Sequence, residues 1–224
     1  MSTAVSSGLS EALFAHPAKQ QLTDSLQELK AACPTLSREQ VTTVLGQWFH
    51  PLHYFPTFLS RLISVTPEIE TQTFISRILW QELGEGVPDM AHEKVYISTI
   101  TDGEFSPSVV SAAPPLAATR KLVEGYEAAS REYLSGLGFL YGTEVVDLTM
   151  VSTVGELMRR CNGKDDLPWV NIHIKQEPDH IESSNETIQL SFDADAQRRI
   201  LDGAERMWLL WLDFFRNIRN EILN

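Results

Sequence analysis

Cysteine is nearly absent from this chain: Cys33 and Cys161 are the only two among 224 residues, and they form no C-x-x-C pair. Two distant thiols make no disulfide framework, so a reducing compartment is expected. Long apolar runs are missing too. No stretch approaches the roughly 20 residues that a bilayer-spanning helix needs, so no membrane partner is expected. Positive charge is scarce, with 18 Lys and Arg against 30 Asp and Glu and a formal net charge of −12. A chain that acidic repels phosphate backbones, which argues against nucleic acid as a partner. The opening Met-Ser-Thr-Ala-Val-Ser-Ser-Gly lacks a basic start and reads as a frayed terminus, not a signal peptide, with residues 1–16 as a flexible segment and the cytoplasm as the expected location. Period-two alternation, the mark of a half-buried strand, is also scarce.

What is present is helical periodicity over a large apolar content. Hydrophobic residues make up 43% of the chain, with 5 Trp and 10 Phe, which excludes a disordered protein. Leu22, Leu26 and Leu29 form one stripe ended by Pro34. Ser37, with Glu39 and Gln40 behind it, reads as the capped start of the next helix. That helix is expected to bend at Pro51 or Pro56. Gly84-Glu-Gly-Val-Pro88 interrupts the pattern, and residues 101–115, with three prolines, read as the main non-helical connection. Helices are expected at about 117–136, 137–161, 167–183 and 193–222. The sum is a single all-α domain over residues 1–224 with about seven helices.

The segment Val170-Asn-Ile-His173-Ile-Lys-Gln-Glu177-Pro-Asp-His180 carries the most chemistry. Positions 173, 177 and 180 are spaced i, i+4, i+7 and project from one helix face. Two imidazoles and a carboxylate on one stripe suit a first-row divalent metal. One helix does not complete such a site, and two other segments offer further ligands. Trp80-Gln-Glu82-Leu-Gly-Glu85-Gly-Val-Pro-Asp-Met-Ala-His92 places Glu and His around a glycine-rich break. Leu137-Gly-Phe-Leu-Tyr-Gly-Thr-Glu144 puts a carboxylate in an otherwise apolar helix, where it costs several kcal/mol unless paired or metal-bound. The alternative for Glu144 is an exposed face shared with Thr143 and Asp147.

Those three segments, in the order E…H…E…H-x3-[DE]-x2-H, resemble the haem-oxygenase-like di-iron oxidases and oxygenases, a family related in fold to thiaminase II and pyrroloquinoline-quinone synthase. The resemblance implies a haem-oxygenase-like bundle and two Fe(2+) per chain on Glu82, His92, Glu144, His173, Glu177 and His180. It implies a non-haem iron enzyme that uses O2 to oxidise a small organic substrate (an amine, an amino acid or a fatty acid) or its own side chain; a homodimer is allowed for. Glu177 stands where the family usually has Asp, and Pro178 after it disfavours helical geometry. On a straight helix Glu82 would lie about 80° from His92 and Glu85 nearly in line. The glycines make a straight helix improbable, which favours Glu82.

Other residues near these motifs carry less. His50 and His53 read as helix-bend histidines, Lys175 as solvated, and Tyr54, Tyr126, Tyr133 and Tyr141 mostly as core residues with access to the site. Two rival readings remain. One is a metal-free enzyme on the same fold, either a thiaminase-like hydrolase with Cys161 as nucleophile or a cofactorless oxidase. The other is a non-enzymatic helical interaction protein with a decayed site.

Overall fold

The structure, a computed structural model, describes residues 6–176 and 192–223, and every regular element among them is helical. The order is α1 (Ser6–Phe14), α2 (Pro17–Ala32), α3 (Arg38–Val65), α4 (Ile69–Glu82), α5 (His92–Asp102), the short α6 (Pro107–Ser111), α7 (Ala117–Ala129), α8 (Tyr133–Glu144), α9 (Asp147–Asn162), α10 (168–176) and α11 (Ala194–Leu223). The described residues thus hold eleven α-helices, besides 3-10 turns at Cys33–Thr35 and Pro88–Met90, where the sequence pattern suggested seven helices. Tyr96-Ile-Ser-Thr-Ile-Thr, the one stretch with a strand-like composition, lies inside α5.

Two breaks invisible to hydrophobic periodicity account for much of the difference. Between α7 and α8 the backbone of Glu132 becomes extended, and its carboxylate accepts from the amides of Leu134 and Ser135 as an N-cap. Arg199 of α11 holds the same carboxylate at 2.6 Å. Between α8 and α9 the chain breaks at Val145 and Val146, where an uninterrupted apolar pattern gives no warning. At the N-terminus, α1 buries Leu9 and Leu13 in the main core, so residues 6–14 are packed helix.

Ser37 and Gln40 form the reciprocal capping box that starts α3. Gln40 also donates to the carbonyl of Ile222, tying the start of α3 to the end of α11. Pro51 and Pro56 both lie within one 28-residue helix. Midway along it, buried Gln47 uses all its polar atoms on the 114–119 stretch. Its amide donates to the Pro114 carbonyl, and its oxygen accepts from the Leu116 amide and the Thr119 hydroxyl.

The closest packing joins α8 to α11. A Cβ placed on Gly138 would sit 2.1 Å from the Ile200 carbonyl oxygen, and one on Gly203 would sit 2.7 Å from that of Ser135. The two backbones touch because neither residue has a side chain. This contact seats α8, all of whose residues from Gly136 to Glu144 are buried, against the long α11 stripe that includes Ile200, Ala204, Trp208 and Trp211. Gly138→Ala should therefore destabilise the protein by about 2 kcal/mol or more through overpacking. Gly8→Ala, with open space around it, should be neutral or slightly stabilising. Equal denaturation midpoints for the two variants would refute the backbone contact.

Candidate metal centre

The site begins with a reversal of the chain. Helix α4 ends at Glu82, and Gly84, Glu85 and Gly86 follow with φ of 81°, 53° and 86°. Three successive left-handed residues turn the chain back on itself. Only glycine fits at position 84, where a Cβ would lie 2.4 Å from both the Ala91 nitrogen and the Val87 oxygen. Helix α5 then starts at His92, whose Nδ1 comes to 3.0 Å from Oε1 of Glu82. Both side chains are buried. Glu85 is exposed and does not join this cluster.

His173 arrives from α10. The Trp169 amide donates to Oγ1 of Thr99 at 3.0 Å, docking the first turn of α10 on α5. Nδ1 of buried His173 lies 2.7 Å from the Trp169 carbonyl. A carbonyl can only accept, so Nδ1 carries a proton in this contact. This is the arrangement in which a ligating histidine is oriented by its other nitrogen. The His92 and His173 rings are 4.8 Å apart, and one ligand atom each from Glu82, His92 and His173 lie within 4.8 Å of one another. Donors about 2.1 Å from a shared ion can be about 4.2 Å apart. The cluster fits one ion after a closure of a few tenths of an ångström, and its mixed oxygen and imidazole donors suit a first-row divalent metal.

Glu144, the last residue of α8, is buried, so the surface alternative considered for it does not apply. It shares with Glu82 and His173 a cavity of about 50 Å³, walled by Trp48, Phe55, Tyr126, Trp169 and Trp211. No Lys or Arg is among the described residues lining it. Asp147, at the start of α9, also lines it. Sequence reasoning placed that residue only on the surface; the i, i+3 pair Glu144 and Asp147, on either side of an unseen helix break, was the available signal. Tyr126 is fully buried, and burial pushes its phenol well above the usual range, with Asp147 and Glu144 adding to the shift.

The remaining predicted residues separate clearly. Glu177 and His180 lie outside the described residues, as does the side chain of Cys161. His50 binds the Ala113 carbonyl at 2.9 Å and His53 pairs with Glu93 at 2.7 Å, and neither lines the cavity. Of the four tyrosines, Tyr126 alone lines it. Lys175 is exposed.

Residues 42–212 match the family described as iron-containing redox enzymes. The chain belongs to that family. Its fold is the haem-oxygenase-like one, shared with several solved structures at low sequence identity. A CADD-like protein of unknown function from Nostoc punctiforme is 14% identical with a TM-score of 0.82, over 98% of this chain and 99% of that one. A TenA homologue from Pseudomonas syringae pv. tomato is 12% identical with a TM-score of 0.71, over 95% and 93%. A domain of unknown function with a heme-oxygenase-like fold from Shewanella denitrificans is 15% identical with a TM-score of 0.69, over 96% and 88%. No curated protein matches the chain in sequence. No described helix is long and apolar enough to cross a membrane.

Left-handed backbone at a non-glycine residue costs about 1–2 kcal/mol, and Glu85 is such a residue on the surface. Glu85→Gly should leave metal binding intact and hold or raise the melting temperature. Glu82→Ala should instead lower metal affinity by well over the roughly 10–100-fold typical of losing an outer supporting contact. Metal titration with thermal denaturation of both variants checks the pair. Loss of metal in Glu85→Gly with retention in Glu82→Ala would reverse the assignment.

Proposed function

We propose that this chain is a non-haem di-iron oxidase or oxygenase that uses dioxygen to oxidise a small organic substrate. The observation that carries this reading is the buried Glu82, His92 and His173 cluster, whose ligand atoms, one from each residue, lie within 4.8 Å of one another. Membership in an iron-containing redox family supports iron as the metal. A cavity of about 50 Å³ is too small for a porphyrin, which favours iron held directly by side chains.

One ion is proposed on Glu82, His92 and His173. A second is proposed on Glu144 together with Glu177 and His180. Helix-bundle di-iron proteins bring Glu and His from several helices to a shared core site in this manner. Iron bound there would supply one-electron redox chemistry and affinity for dioxygen. The protein's part is to hold the donors and keep bulk water out. The α4–α5 reversal fixes Glu82 against His92, the Trp169 carbonyl orients the His173 ring, and the aromatic wall excludes water from the reacting space. Pro51, Leu52 and Phe55 of α3 complete an apolar surface for the substrate. Amines, amino acids and fatty acids are the substrate classes carried by the family resemblance.

Anaerobic titration should saturate near two ferrous ions per chain and raise the melting temperature, because a ligand that binds only the folded state stabilises it. His92→Ala or His173→Ala should remove the first ion, and Glu144→Ala should weaken the second. Oxygen added to the loaded protein should be consumed with a transient visible absorption band. A wild-type chain that binds no ferrous iron would overturn this reading.

A further inference from the structure

Helix α4 presents two ordered faces. Its buried side carries Thr71, Phe74, Ile75, Ile78 and the proposed ligand Glu82. On the opposite side Ile69, Thr73, Ser76, Trp80 and Leu83 recur at spacings of four, three, four and three residues, and all five are exposed. That alternation is the seam spacing of paired helices, in which side chains of one helix pack between those of another. Six of the eleven large hydrophobic residues that are exposed among the described ones fall between Val65 and Met90, with Ile69 at 66% and Trp80 at 56%. A Cβ on Gly86 would sit 2.8 Å from the Trp80 ring, so the stripe runs on into the α4–α5 reversal, where Val87 and Met90 are exposed. Clustered apolar exposure of this kind marks an interaction surface.

The chemistry of the stripe fits a second copy of this chain. Bulky Ile69 and Trp80 bracket the small Thr73 and Ser76. The hydroxyls of Thr73 and Ser76 already donate to the carbonyls of Ile69 and Gln72 at 2.8 Å and 2.7 Å, so covering them leaves no donor unsatisfied. Two copies of α4 crossing antiparallel about a two-fold axis set Ile69 against Trp80 of the partner subunit, and Thr73 against Ser76 of the partner subunit. The small central pairs let the helices approach, and the large pairs close both ends.

Charge selects the same arrangement. One flank of the stripe carries exposed Glu70 and Arg77, and the other carries half-buried Gln72 and Leu79. In an antiparallel pair each flank meets the same flank of its partner, so Glu70 meets Arg77 of the partner subunit, and the two-fold axis repeats the contact. In a parallel pair unlike flanks meet, and neither charge faces its opposite.

We propose that the outer face of α4 is a homodimer interface, paired antiparallel along Ile69, Thr73, Ser76, Trp80 and Leu83 with reciprocal Glu70–Arg77 contacts. The pairing does not depend on iron. It covers the outside of the helix whose inner side presents Glu82.

Sedimentation velocity of the full chain without added metal, over a range of concentrations, tests this surface. A monomer–dimer equilibrium is expected. Arg77→Glu and Glu70→Arg each replace two attractive contacts per dimer with two repulsive ones, and each should weaken association by about tenfold or more. The double variant Glu70→Arg/Arg77→Glu should recover the wild-type dimer. An equimolar mixture of the two single variants should form mixed dimers, because every flank contact between them is attractive. Lys121→Glu, the same charge change on the exposed surface of α7, should leave association unchanged. All three positions are exposed, so circular dichroism should show wild-type helix content in each variant. A chain that stays monomeric at every concentration, or a dimer that both single variants leave intact, overturns the proposal. So does a double variant as weakly associated as its parents. None of these results bears on the iron reading, because no metal enters the measurement.

Discussion

Burying carboxylates and imidazoles inside an aromatic core is the constraint on which the rest of this structure depends. Glu82, His92, Glu144 and His173 are all buried, and the described lining of their cavity offers no cationic side chain. An ionised carboxylate moved from water into such surroundings loses several kcal/mol of hydration unless something positive replaces it. A divalent metal would do so compactly, and its charge would also accommodate Asp147 at the rim. Unusual local conformations surround the cluster. They include three left-handed residues in succession, an indole-walled cavity, and a histidine whose Nδ1 is held by a backbone carbonyl.

The supporting structure divides the work among few contacts. The glycine contact between α8 and α11 brings Glu144 into the core at the end of a helix that is buried on every side. The Gly84–Gly86 reversal brings Glu82 to His92. The Trp169 amide on Thr99 brings His173 to both, because it fixes the first turn of α10 against α5. Gln47 and the Gln40 bond to Ile222 hold α3 in place, and α3 supplies the wall that closes the cavity. Each of these contacts is polar or steric, while the apolar stripes provide the bulk of the burial.

The aromatic wall of the site is closely packed and held by hydrogen bonds as well as by ring contacts. Trp169 stands edge-on to His173 with centroids 5.1 Å apart, Trp48 lies 5.8 Å from Trp169, and Trp211 lies 5.2 Å from Trp48. Trp211 donates its indole N–H to the Tyr126 hydroxyl, which is hydrogen-bonded to Thr143, the residue before Glu144. The wall therefore excludes bulk water from the cavity.

The all-helical character, the apolar stripes of α2, α3 and α11, and the capping box at Ser37 were determined by the sequence itself. Each depends on residues within a turn or two of one another, where periodicity and capping chemistry are local. The buried ionisable residues were legible for a related reason. A carboxylate in an apolar run, as at Glu144, and His and Glu around a glycine break, as at Glu82 and His92, conflict with their local surroundings, and that conflict is itself a signal. The tertiary structure alone decided the rest. The breaks at residues 130–132 and 145–146 come from an N-cap held by Arg199 and from the packing of α8 on α11, partners about 70 residues away in the chain. That Glu82 is buried beside His92 while Glu85 is exposed follows from three left-handed residues, and Glu85 at φ 53° is tolerated only because the surrounding fold requires it. The ring contacts among Trp48, Trp169 and Trp211 were out of reach of sequence reasoning. They join residues from separate helices, and only the packed core sets which faces meet.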